Sequence, residues 1–194
     1  ARARDLPTAD LVLMSYALAE LPPAAQDGAV DALWGATAGL LAIIEPGTPA
    51  GFARLRQARS RLSAAGARIV APCPHEAACP LLEGDWCHFV QRLPRSRDHR
   101  IAKAADAPFE DEKFAYLVAA REPVEIAPRG ARVLAPPRAG KPGIELKLCT
   151  PDGAVETRFA PKRDKPGFAI ARRLDWGDAL PSTARPGLRR DERT

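Results

Sequence analysis

Apolar and polar positions follow one rhythm as far as residue 123 and another beyond it. "DLVLMSYALAEL" (10–21) opens with an unbroken apolar run, Leu11 to Met14, which predicts a buried strand. Leu18 and Leu21 then fall on one helical face, and "DGAVDALWGAT" (27–37) continues as helix. "GLLAIIEPG" (39–47) is a second short apolar run without polar alternation, the pattern of a parallel strand covered on both faces, and Pro46 and Gly47 end it. In "TPAGFARLRQARSRLSAAG" (48–66), Phe52, Leu55, Arg59 and Leu62 keep helical spacing, and Gly66 is placed to end the helix. "ARIVAP" (67–72) reads as a third strand. Strand, helix, strand, helix, strand in that order predicts the α/β class with a doubly wound sheet.

A loop or short helix is expected over "HRIAKAADAPFEDE" (99–112), then a strong strand over "KFAYLVAAREP" (113–123). From Val124 onward, prolines, glycines and charges punctuate short apolar runs. "ARVLAPP", "GIELKLCT", "AVETRFAP" and "GFAIARRLDWGD" read as strands of a small antiparallel module, with "TPDG" (150–153) as a turn. The expected organisation is an α/β part over 1–123, a β module over 124–180 and a flexible tail over 181–194. No repeat with the period of a solenoid is visible.

Composition narrows the class only a little. The 194 residues are 46% hydrophobic and 27% charged, ordinary for a globular protein. No apolar run approaches the ~20 residues of a membrane span, and the start lacks the layout of a signal peptide. Neither a membrane partner nor a secreted location is therefore expected. Opening on Ala1 rather than methionine reads as a fragment or a processed start. Charge is unevenly placed: residues 1–128 carry 14 basic and 16 acidic side chains, residues 129–194 carry 15 and 8. A basic module on a near-neutral body points to a polyanionic partner, most simply nucleic acid.

The most specific chemistry lies in "VAPCPHEAACPLLEGDWCHFVQR" (70–92), which holds Cys73, Cys79 and Cys87; sixty-one residues separate Cys87 from the fourth thiol, Cys149. Four cysteines are too few for a disulfide scaffold, and in a reducing compartment clustered thiols more often bind metal than each other. A site using all four would staple the β module to the α/β body. Thiolates suit zinc or an iron–sulfur cluster; the C-x2-C knuckle of many zinc sites is absent, and His75 and His88 are further possible zinc ligands. Pro72–Cys73 also matches the nucleophile pair of cytosine methyltransferases, although here it belongs to a cysteine cluster. Directly after the third thiol, "QRLPRSRDHRIAK" supplies Arg92, Arg95, Arg97, Arg100 and Lys103 against Asp98, a candidate phosphate-binding loop. Trp86 and Phe89 could stack on unpaired bases, but core packing is the stronger expectation.

"VLMSYALAEL", "LLAIIEPGTPAGF", "PCPHEAACPL", "DWCHFVQR" and "KFAYLVAARE", in that order, resemble the Rsm-type family of methyltransferase-like proteins of the small ribosomal subunit, found in mitochondria and bacteria. The resemblance spans about residues 5–178. It implies the C-terminal half of a class I S-adenosylmethionine (SAM) methyltransferase Rossmann-like sheet, with a cysteine-rich metal insertion and a small β extension. It implies that Cys73, Cys79, Cys87 and Cys149 hold a [4Fe–4S] cluster, with zinc as the alternative. It implies a role in small-subunit assembly, with ribosomal RNA and the ribosome as partners, in the bacterial cytoplasm or the mitochondrial matrix. The glycine-rich loop that begins a SAM site is absent from this chain, so the first visible strand corresponds to the fourth of the usual seven. On that alignment Ser15, Tyr16, Glu45, Pro46 and Gly47 line the cofactor end of the sheet, and SAM binding belongs to a longer protein that supplies the other half. No catalytic base or nucleophile is evident. An active ribosomal RNA methyltransferase and a zinc-stapled interaction domain are the alternatives to an assembly factor.

Overall fold

The computed structural model describes residues 6–104, 106–122 and 129–180, together with the backbone of Arg189 and Arg190. Two sheets are present. The first is built from β1 (Ala9–Ser15), β2 (Thr37–Pro46), β3 (Arg68–Ala71), β4 (Phe89–Pro94) and β5 (Phe109–Ala120). Its order is β1-β2-β5-β3, with β4 paired to the first half of β5. β1 and β2 are parallel, and β5 runs antiparallel to β2, β3 and β4. Hence β1, β2 and β3 all point the same way, and their carboxyl ends share one edge, the edge where open α/β sheets bind ligands.

α1 (Pro23–Ala36) and α2 (Pro49–Ala64) contact each other and cover one face of this sheet. Leu41, Ile43, Ile69, Leu117 and Ala119 meet Val30, Trp34, Leu55, Ala58 and Leu62 there. Each large side chain so buried contributes about 1.5–3 kcal/mol. Arg61 also bridges α2 to Asp27 and Asp31 of α1, but these groups are half in solvent, where an ion pair adds about 0.2–1 kcal/mol. Packing therefore holds the layer. α2 starts where the Thr48 hydroxyl accepts the Gly51 N–H at 3.1 Å, and Gly66, at φ +82°, turns the chain out of it.

Three expectations for this part need correction. β1, expected to be buried, has no buried residue, and Leu11 and Leu13 are exposed. β2 is closed on one face only: Leu40, Ala42 and Ile44 on the opposite face are half-buried. The helical spacing of Leu18 and Leu21 yields a single 3-10 turn, Leu18–Glu20, because Pro22 and Pro23 follow and a residue before proline is driven out of the helical region. Leu18 is buried all the same. The expected loop at 99–112 divides between α3 (Arg97–Ala102) and the opening of β5.

The second sheet is antiparallel throughout: β6 (Arg132–Val133), β7 (Arg138–Ala139), β8 (Gly143–Cys149), β9 (Val155–Pro161) and β10 (Arg189–Arg190), in the order β10-β9-β8-β6 with β7 beside β8. Ile144, Leu146 and Leu148 alternate onto one face of β8 and pack with Val133, Ala160, Ala171 and Leu180. The turn at 150–153 forms as expected, with the Gly153 N–H donating to the Thr150 carbonyl and Gly153 at φ +82°. The last expected strand, 167–178, is instead led by a helix, α4 (Lys165–Ala171). Asp164 caps it by accepting the Gly167 N–H, Pro166 lies in its first turn, and Phe168, Ala171 and Leu174 keep helical spacing. Residues 123–128 and the expected flexible tail 181–194 lie outside the described residues, except that the β10 backbone pairs with β9.

Candidate metal centre

The three clustered thiols belong to the segment between β3 and β4. That segment leaves the carboxyl end of β3 and meets the second sheet on its way to β4, with Asp85 on Lys147 and His75 beside Cys149. α2 supplies Phe52, Leu55 and Arg59 to one wall of a cavity, and β8 supplies Cys149 to another. Cys73, Cys79, Cys87 and Cys149 all line this cavity, and none is in a disulfide. Cys149 is buried with Leu81 and Leu134, and Cys79 and Cys87 pack against the same group. Among the described residues, no three Cys, His, Asp or Glu side chains converge as the ligands of one metal ion must.

Electrostatics tie the thiols together. Burial is the main cause that pushes the Cys149 thiol up to about 12, and the neighbouring Cys73 and Cys79 push the same way. The Cys87 thiol is raised still further, first by burial and then by Cys73, Cys149 and Cys79. Cys73 is raised by burial, opposed by Arg59 and Arg129. Without metal these thiols stay protonated at neutral pH, so a metal that binds them must release protons.

Three guanidiniums are held beside the thiols. Arg59, 5% exposed, donates to the carbonyls of His75 and Ala77, at 3.4 and 2.6 Å. Arg129 reaches the carbonyls of Ile69, Val70 and Cys73, and Arg132 those of Pro72 and Gly177. These bonds fix the path of the cysteine segment, and the charges offset the negative charge that thiolates around a metal would carry. His75 is buried, its Nε2 lies 3.3 Å from the Cys149 Sγ, and its Nδ1 has no hydrogen-bond partner among the described residues. His88 is packed between the Trp86 ring, stacked at 5.3 Å, and the edge of Trp176 at 4.3 Å. Trp86 donates to the Gly47 carbonyl, and Phe89 is buried against Phe114 and Tyr116. These two aromatics thus pack internally, as the sequence favoured.

The five residues expected at the cofactor end lie together at the carboxyl edge. Ser15 and Tyr16 end β1, and Glu45, Pro46 and Gly47 end β2. Tyr16, at φ 52°, donates its phenol to Glu112 at 3.0 Å; burial, then Glu112, raises that phenol to about 12. Glu45 is fully buried and paired with Arg54 at 2.7 Å, and its Oε1 has no hydrogen-bond partner among the described residues. Gly47 sits where a Cβ would lie 2.7 Å from the Phe114 nitrogen, so only glycine fits.

The expected phosphate-binding loop is a strand and a helix. Arg92 lies on β4 and forks onto Asp111 at 2.7 and 2.9 Å. Arg95 and Lys103 share Glu110. Arg97 and Arg100 form no ion pair among the described residues, although the Arg100 Nε is buried without a partner. Reading the segment alone counted one acid, Asp98; the hairpin brings in the acids of β5. The sequence reading also passed over Arg59, Arg129 and Arg132. A charged residue in the core register of α2 was the visible signal for the first of these.

The family described as mitochondrial small ribosomal subunit Rsm22 matches residues 1–181. The human ribosome assembly protein METTL17, mitochondrial, is 32% identical over 184 residues, covering 89% of this chain and 39% of that protein. Two Rsm22-cox11 tandem proteins, mitochondrial, from Schizosaccharomyces pombe are each 27% identical, covering 74% of this chain and 24% of their own length. The chain spans well under half the length of these relatives.

Proposed function

The chain belongs to the Rsm22 family, and on that premise we propose that it is part of an assembly factor of the mitochondrial small ribosomal subunit. It acts in the matrix, binds ribosomal RNA and uses a metal centre as a structural staple. The observation that supports the staple is that one cavity is lined by four thiols, three from the β3–β4 segment and Cys149 from β8. The donor set fits a [4Fe–4S] cluster: four thiols, mostly apolar surroundings with His75 beside Cys149, and Arg59, Arg129 and Arg132 to offset its charge. Bound there, the group supplies cross-links between the modules. Cys73, Cys79 and Cys87 hold the α/β side and Cys149 the β side, with no ligand position left for substrate. Arg97 and Arg100, in no ion pair among the described residues, serve as phosphate contacts.

Anaerobic purification tests the reading. The expected protein is brown, with about four iron per chain. Cys149→Ser should lose the iron, open residues 129–178 to protease, and weaken RNA binding although no RNA contact has been touched. One zinc and no iron would end the cluster reading while leaving the staple. A Cys149→Ser protein with unchanged metal content would end the four-thiol site.

A further inference from the structure

We propose that the face formed by the β9–α4 turn and α4 is a binding surface for unpaired RNA, with phosphates on Lys162, Arg172 and Arg173 and a base against Phe168. The inference rests on the RNA-binding reading above and deepens it by naming the surface and the form of the RNA. Lys162, Arg163, Lys165, Arg172 and Arg173 are all exposed, and none forms an ion pair among the described residues. On the β4–α3 side, by contrast, Arg92, Arg95 and Lys103 are matched to Asp111 and Glu110. An ion-paired arginine must give up its carboxylate before it can meet a phosphate, whereas an unpaired one gives up only water and counterions. The acids nearest the proposed face are engaged with the backbone. Asp164 accepts the Gly167 N–H, and Asp175 accepts the Trp176 N–H at 2.8 Å.

Shape supplies the second argument. A groove of about 590 Å³ runs along this face. Ile144, Phe168 and Leu174 line its apolar part, Lys162, Arg172 and Arg173 its basic part, and Asp175 is the one acid among them. That volume lies in the range of sites that hold small organic ligands. Double-stranded RNA offers a protein phosphates and ribose hydroxyls but keeps its base faces stacked inside, so the apolar floor would gain nothing from it. An unpaired nucleotide offers both a phosphate for the rim and a flat base for the floor, the combination that single-strand binders use.

Fluorescence anisotropy across a salt series tests the proposal on the full chain, with a labelled oligouridine and a labelled RNA duplex as probes. The wild type should prefer the oligouridine, with log affinity falling linearly in log salt. Lys162→Ala/Arg172→Ala/Arg173→Ala should flatten that slope by about two, since each phosphate contact to a single strand contributes about 0.7. Arg92→Ala/Arg95→Ala/Lys103→Ala should leave the slope in place. Phe168→Leu, which keeps the apolar floor but removes the ring, should weaken oligouridine binding about tenfold while the melting temperature confirms the fold. If the β4–α3 variant flattens the slope and the β9–α4 variant does not, the surface is misplaced and RNA binding stands. Equal affinity for the duplex overturns the unpaired base. No salt-dependent binding of the wild type to either probe overturns both this surface and the RNA reading beneath it.

Discussion

Arg59 shows how one side chain serves two ends. It lies in the core register of α2 beside Leu55 and Leu62, a position where a charge is costly unless hydrogen-bonded. The carbonyls of His75 and Ala77 offset part of that cost, although the Arg59 Nε is buried without a partner among the described residues. Its charge then faces Cys73. Arg59→Met should strand both carbonyls and destabilise the protein by about 1–3 kcal/mol. That is a fall of about 2–4 °C in melting temperature per kcal/mol for a chain of this size. The same variant should retain less iron after anaerobic purification. Arg59→Lys, which keeps the charge but not the fork that spans two carbonyls, should recover part of the iron and little of the stability. Equal losses in both variants would mean that the charge does nothing for the metal.

At the scale of elements, the two parts meet through an apolar group around Leu81 and Leu134 and through close backbone contacts. Gly177, at φ +91°, lies where a Cβ would come within 2.7 Å of the Phe89 ring, and the adjacent Trp176 closes over His88. Gly177→Ala should therefore cost both backbone strain and a displaced ring, about 1–3 kcal/mol. Limited proteolysis should show the β module loosening before the α/β part does. An unchanged digestion pattern would place the joint elsewhere. The elements legible in the sequence are those whose pattern is local. The apolar runs of β1 and β2 and the spacing of α2 needed no tertiary information, and the spacing already grouped three of the four thiols. What was hidden depends on pairing at a distance, as with Cys149, which only the fold brings beside the three clustered thiols. Arg92 meets Asp111 only because β4 and β5 form a hairpin in that register. The 167–178 stretch reads as strand by composition, but the Asp164 cap and Pro166 start a helix that its apolar residues then accept. Arg129 and Arg132 lie just past a break in the pattern, with nothing local to link them to the carbonyls of residues 69–73.

Across the whole molecule, the carboxyl edge of the first sheet carries the ends of β1, β2 and β3. Glu45 and Tyr16 at that edge are already engaged by Arg54 and Glu112, and the chain has no glycine-rich loop to cradle a nucleoside. Titration calorimetry with SAM should accordingly give no binding to this chain; micromolar affinity would show that the cleft is complete without further strands. β1 stands at the end of the sheet and pairs only with β2 among the described residues, with Leu11 and Leu13 exposed at 62% and 59%. A strand with one row of backbone groups unpaired and leucines beside it is adhesive. Handled by itself, this polypeptide is thus a colloidal problem before it is a biochemical one: its solubility depends on whatever next lies against β1.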